Sequence, residues 1–185
     1  MIARLDMPIE PQYAKPVEQT PGRREGLVNF AATLDRTFGV AQLRWSHFLD
    51  VGGGDGWLSS FLDYGRYVCI DPQYHPGILG AKGVIGRAEA LPFKDKYFDF
   101  VVSKQTLLHF DDPVRACREM LRVSRYAVVI RQEFPEPERP IGWPGHSRVT
   151  IDDPEDILIA LKSNEWRTKY NGTDFIVVRI DPLGR

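Results

Sequence analysis

Phe48-Leu49-Asp50-Val51-Gly52-Gly53-Gly54-Asp55-Gly56 is the stretch whose reading decides the fold of this chain. Its first half belongs to the apolar run Ser46 to Val51, the pattern of a short buried strand. Its second half puts glycine at positions 52, 53, 54 and 56. A chain leaving a buried strand must turn there and let ligand atoms approach its backbone, and only residues without a β-carbon allow that at several successive positions. Trp57 to Leu62 can then begin a helix, and Arg66 to Asp71 is a second apolar run. The order is strand, glycine turn, helix, strand.

Asp71 ends that second run, where a doubly wound sheet places an acid that accepts hydrogen bonds from ribose hydroxyls. Glycine turn and acid together point to an adenosine-type ligand at the carboxyl edge of the sheet. A dinucleotide loop wants G-x-G-x-x-G, and counting from Gly52 and Gly54 the third glycine position is Trp57. A nicotinamide-dependent reductase is thereby disfavoured, and no G-K-[ST] follows to make a phosphate-binding P-loop.

Outward from this centre the elements alternate. Pro21, after Thr20, opens a helix whose Leu27, Phe30, Ala31, Leu34 and Phe38 recur at helical spacing until Gly39. A third strand falls at Gly83 to Ile85, after a crossover of only about a dozen residues, near the minimum for a parallel connection. Phe98 to Ser103 reads as the fourth strand, and Asp112-Pro113 starts a helix with Val114, Cys117 and Leu121 on its core face. Tyr126 to Ile130 is the fifth strand. Glu133 to Pro144 is rich in proline and charge and reads as a surface crossover. A helix capped at Asp153 runs to about Lys162. Trp166 to Tyr170 and Phe175 to Ile180 flank Asn171-Gly172, the signal of a tight antiparallel hairpin. The expectation is an α/β, Rossmann-like, doubly wound, mostly parallel seven-stranded sheet ending in an antiparallel hairpin. Residues 1 to 22, with Pro8, Pro11, Pro16 and Pro21, read as an N-terminal arm or lid, and residues 23 to 185 as one domain.

The motifs resemble a known family. Asp50 to Gly56 matches the D-x-G-x-G-x-G first motif of class I S-adenosylmethionine-dependent methyltransferases, and Asp71 their acidic position after the second strand. Ala88-Glu89-Ala90-Leu91-Pro92-Phe93, Phe98-Asp99-Phe100-Val101-Val102 and Leu108-His109-Phe110 are similar to the small-molecule branch, the ubiquinone and menaquinone biosynthesis methyltransferases. The resemblance implies S-adenosylmethionine as cofactor. The backbone of Gly52, Gly53, Gly54 and Gly56, after Asp50, would face its methionine and ribose parts, Asp71 with Pro72 the ribose hydroxyls, Ala88 with Glu89 the adenine edge, and Gln105 the sulfonium methyl. Arg87 departs from the pattern, standing where family members commonly carry an acid.

Methyl transfer from a sulfonium needs alignment and exclusion of water more than a nucleophilic triad. His109 is the candidate general base nearest in sequence to the expected methyl, with bracing of the following turn as its structural alternative. His75 and His146 face either pocket or solvent. Trp143 and Tyr13 could close an apolar lid or merely seal the core edge. Arg115, Arg118, Arg122 and Arg125 could hold an anion, although a solvated helix face is the commoner reason for such a row. The expected partner is a small-molecule methyl acceptor. The competing reading is a non-catalytic methyltransferase-like subunit of a larger assembly, which leaves room for a protein partner or a homodimer.

Composition narrows the classes. Lysine and arginine total 24 against 25 aspartates and glutamates, so no bulk basic field exists to hold a nucleic acid. Ser103-Lys104-Gln105-Thr106 also lacks the N-P-P-Y-like signature of amino-methylating nucleic-acid enzymes. Two cysteines, Cys69 and Cys117, both in apolar surroundings, read as reduced buried thiols, and no metal site is expected. No run of about 18 apolar residues occurs, which places the chain, as an expectation, unanchored in the cytoplasm.

Overall fold

The computed structural model describes residues 21–62, 66–73, 82–132, 154–162 and 164–179. Helix α1 spans Pro21–Phe38 and the one-turn α2 Val40–Leu43; β1 is His47–Val51, β2 Arg66–Asp71, β3 Lys82–Ile85 and β4 Phe98–Lys104; α3 is Pro113–Val123, β5 Ser124–Arg131, α4 Pro154–Leu161, β6 Trp166–Tyr170 and β7 Asp174–Arg179. Short 3-10 helices occupy Trp57–Phe61, Ala88–Ala90 and Leu107–His109. The seven strands lie in the order β3-β2-β1-β4-β5-β7-β6. The pairs from β3 through β5 are parallel, and β7 is antiparallel to both β5 and β6.

Period-two alternation explains the layers, because successive side chains of a strand point to opposite faces. Phe48 of β1, Phe100 and Val102 of β4, and Ala127 and Val129 of β5 pack against Leu27, Phe30 and Leu34 of α1 and against Trp57 and Leu58. Their neighbours Leu49, Val51, Val101, Val128 and Ile130 face the other way, onto Ala116, Cys117 and Met120 of α3 and Ile157 and Leu161 of α4. Both faces are covered, which is why these strands read as continuous apolar runs rather than as alternating ones.

Three details differ from the sequence expectation. The segment after the glycines winds only into the 3-10 turn Trp57–Phe61. The core face of α3 centres on Ala116, Cys117 and Met120, all fully buried, with Val114 only half-buried. The α3 cap is as expected: the Asp112 carboxylate accepts the Arg115 N–H at 2.9 Å with Pro113 at the first helical position. The hairpin, finally, is not a two-residue turn with both central residues at positive φ. Gly172 has φ 101°, but Asn171 acts through its side chain, whose Oδ1 accepts the N–H groups of Thr173 and Asp174 at 3.2 and 2.8 Å. The arm at residues 1–20, the surface crossover 133–144, the cap at Asp153 and the residues Tyr13, His75, Trp143 and His146 lie outside the described residues.

Candidate functional site

Parallel pairing of β1 with β2 on one side and β4 on the other brings Asp50, Asp71 and the end of β4 to one carboxyl edge. The Gly52 N–H donates to the Ile70 carbonyl at 2.8 Å, which ties the start of the glycine turn to β2. Two glycines there are fixed by space. Gly52 has φ 74°, and a β-carbon on it would stand 2.6 Å from Thr106 Cγ2. A β-carbon on Gly53 would stand 2.3 Å from Asp50 Oδ2 and 2.9 Å from Cys69 Sγ, so the loop backbone rests directly on those side chains.

Asp71 grips the loop from β2. Its Oδ2 accepts the Gly54 N–H at 3.0 Å and its Oδ1 the Gln73 N–H at 2.8 Å. A carboxylate oxygen can accept more than one hydrogen bond, which makes this group one of the kind a ligand hydroxyl can donate to. Pro72 follows, half-buried.

Asp50 lies beneath, 3% exposed, and accepts a hydrogen bond from the Tyr67 hydroxyl. Burial pushes its carboxyl up to about 7; the Tyr67 hydrogen bond opposes the rise, the charge of Asp71 adds to it and Lys104 opposes it. Burial likewise raises Tyr67 well above the ordinary phenol range and raises the Cys69 thiol, so both remain protonated donors. Cys69 Sγ reaches the Gly54 carbonyl at 3.5 Å.

The third acid of the loop, Asp55, accepts Trp57 Nε1 at 2.9 Å and an Arg23 guanidinium nitrogen at 3.2 Å, latching α1 to the turn. Sequence reasoning passed over Tyr67, Asp55 and Arg23; Asp55 alone stood inside a quoted motif, and the other two carried no signal.

On the β4 side, Ser103 Oγ donates to the Val51 carbonyl at 3.0 Å and pairs with the Thr106 hydroxyl, which also reaches Val51 at 3.4 Å. Gln105 holds φ 56°, unusual for a residue with a side chain. Its N–H donates to the Arg131 carbonyl at 2.8 Å, and its Oε1 accepts Gln132 Nε2 at 3.0 Å. Gln132 Oε1 accepts the Leu107 N–H at 3.1 Å, which fixes the direction of that amide. His109 is half-buried at the end of its 3-10 turn, with its N–H on the Thr106 carbonyl at 2.9 Å.

Ala88 is buried beyond the end of β3. Glu89 is buried too, but its Oε1 accepts the N–H groups of Asp111 and Asp112 at 2.7 and 3.3 Å, and Arg87 Nε stands 3.5 Å from Oε2. This carboxylate therefore holds the loop in front of α3. The arginines do not converge on an anion site. Arg122 is engaged with Glu119, with Asp95 and with the Leu91 and Phe93 carbonyls, and Arg125 lies in β5, 3.1 Å from Asp99. Among the described residues no group of three or more His, Cys, Asp or Glu side chains is placed to hold a metal ion.

Residues 49–127, from the middle of β1 into β5, match the family model described as "Methyltransferase domain". That segment, less than half of the chain, is similar to methyltransferase domains. Over 100 residues it is 40% identical to an uncharacterized methyltransferase of Mycobacteroides abscessus, a match covering 47% of this chain and 38% of that protein. The chain thus spans well under half the length of the curated relatives it matches. Among solved structures, the YcgJ protein of Bacillus subtilis superimposes with a TM-score of 0.62 at 21% identity, over 79% of this chain and 70% of that one. A SAM-dependent methyltransferase of Aquifex aeolicus gives 0.51 at 19% identity, over 80% and 88%. At these identities the superpositions show the methyltransferase fold and leave the chemistry to the site.

Proposed function

We propose that this domain binds S-adenosylmethionine across the Gly52 to Gly56 turn and moves its methyl group to a small-molecule acceptor by in-line displacement. The carrying observation is the glycine turn itself, packed onto Asp50 and Cys69 from below and held at Gly54 by Asp71. The fit is steric and electrostatic. Bare backbone lies at the sheet edge where a β-carbon would collide, and the Asp71 carboxylate stands beside it as an acceptor for ribose hydroxyls.

The bound cofactor would supply the electrophilic methyl, so the protein's own residues need only bind, orient and exclude water. Asp50 and the glycines shape the cradle, and Asp71 with Pro72 anchors the ribose side. Ala88 provides an apolar wall for the adenine, while Glu89 fixes the loop that completes that wall. Gln105, held by Gln132, stands at the methyl end, and His109 is the candidate base for an acceptor that must lose a proton. A small acceptor suits a chain without a basic field, and no described helix is long and apolar enough to cross a membrane.

The test is calorimetric titration with S-adenosylmethionine and S-adenosylhomocysteine, with NAD as control. Micromolar dissociation constants, about 8 kcal/mol of binding, are expected for the first two ligands and not for NAD. Asp71→Ala should abolish both. Unchanged binding by a folded Asp71→Ala protein overturns the site assignment.

A further inference from the structure

Asp50 is better buried than its hydrogen bonding alone explains. It is 3% exposed, and among the described residues its hydrogen-bond partner is the Tyr67 hydroxyl. A carboxylate removed from water and given one donor is poorly compensated, and it keeps a proton until a positive charge arrives. The surrounding groups come from every element packed on it. From β2 there are Tyr67, Cys69 and Asp71, of which Asp71 opposes ionisation and Tyr67 favours it. From β4 there is Lys104, which favours it and packs at Gly26 of α1. In the loop above, Asp55 is already matched to Arg23. Since the Gly53 backbone rests directly on Asp50 Oδ2, a ligand lying on that backbone is one residue's thickness away.

We propose that Asp50 is a charge-selective specificity residue, which gives up its proton when a sulfonium cation occupies the glycine turn and so favours S-adenosylmethionine over its uncharged thioether product. The inference rests on the cofactor reading above. The two ligands share adenosine, amino and carboxylate groups and differ by the methyl and the positive charge it brings. A carboxylate that ionises only for the charged partner converts that difference into selective retention of cofactor and release of product. The proton passes from Asp50 to solvent on binding and is taken up again on product formation, so the cycle balances.

The experiment measures dissociation constants of the whole chain for S-adenosylmethionine and S-adenosylhomocysteine by calorimetry across neutral pH. Their ratio cancels titration of the groups the ligands share. In the wild-type protein S-adenosylmethionine binding on the acid side should release about one proton per cofactor bound, and the preference for it over S-adenosylhomocysteine should rise by up to about tenfold per pH unit until Asp50 is ionised in the empty protein. Asp50→Asn should bind both ligands with a pH-independent ratio. Tyr67→Phe, which keeps the carboxyl but removes its donor, should move the transition to higher pH and guards against misfolding of the first variant. A wild-type ratio that does not change with pH, or a change that persists in Asp50→Asn, overturns the proposal while leaving the cofactor site standing. Absence of binding by either ligand at every pH overturns the cofactor reading and the proposal with it.

Discussion

Replacing Gly52 by alanine tests the geometry of the turn without any ligand. The left-handed backbone at φ 74° costs about 1 to 2 kcal/mol for a residue with a β-carbon. The new methyl would also meet Thr106 Cγ2 at 2.6 Å and Thr106 Cβ at 2.8 Å. Thr106 has little freedom to swing away, because its hydroxyl pairs with Ser103 and reaches the Val51 carbonyl. Overpacking of this kind costs about 1 to 3 kcal/mol, for a total of about 2 to 5 kcal/mol, a large share of the stability of a single domain. Urea unfolding followed by far-ultraviolet circular dichroism measures it. Thr106→Ala removes the nearest colliding atom, so the double variant should recover about 1 kcal/mol or more relative to the sum of the singles. A cost for Gly52→Ala below about 1 kcal/mol, or strict additivity with Thr106→Ala, refutes the steric argument.

Two further outcomes concern stability. The Asp50 carboxyl is raised from 3.8 to about 7 in the folded state, so folded protein holds the proton more tightly. Wild-type stability relative to Asp50→Asn should therefore fall as pH rises from about 4 to about 7, by on the order of 4 kcal/mol, and parallel curves for the two proteins in denaturant titrations would contradict this. Arg122 joins Glu119 and Asp95 to the Leu91 and Phe93 carbonyls. Arg122→Leu strands those acceptors and should cost about 2 kcal/mol, with cofactor affinity unchanged; a cost near zero in urea unfolding would show that water replaces the guanidinium.

β1 and β2 were readable because each is an apolar run stopped by glycine or acid: β1 ends at the Gly52 turn, and β2 begins at Arg66 and ends at Asp71 as its composition implies. The Pro21 start and the Gly39 stop of α1 were equally plain. What escaped depends on partners distant in sequence. Ala116 and Met120 replace Val114 at the heart of α3 because α4 and the Ala88–Ala90 turn pack on that side of the helix. Asn171 prefers its own side-chain bonds to a positive backbone angle. At the site, the glycines and Asp71 announced themselves through spacing. The Tyr67 hydroxyl under Asp50 and the Arg23 latch on Asp55 join residues 17 and 32 positions apart, a relation that no local pattern encodes. Glu89 carried a motif, yet its carboxylate is engaged by the Asp111 and Asp112 amides, a use that appears only once β3 and α3 are brought together.

The place of β7 has a consequence for biosynthesis. It follows β6 in the chain but lies between β5 and β6 in the sheet. While a ribosome is still adding residues 174–179, the apolar edge of β5 has no neighbour, and β6 has nothing to pair with. From the completion of β5 until that stretch follows, the nascent protein carries an open, sticky strand edge, and its vulnerability to aggregation ends only when the stretch emerges and slots in. Slower translation upstream lengthens this window and quick completion of the hairpin shortens it, so the yield of native protein in a cell is set in part by the timing of six residues.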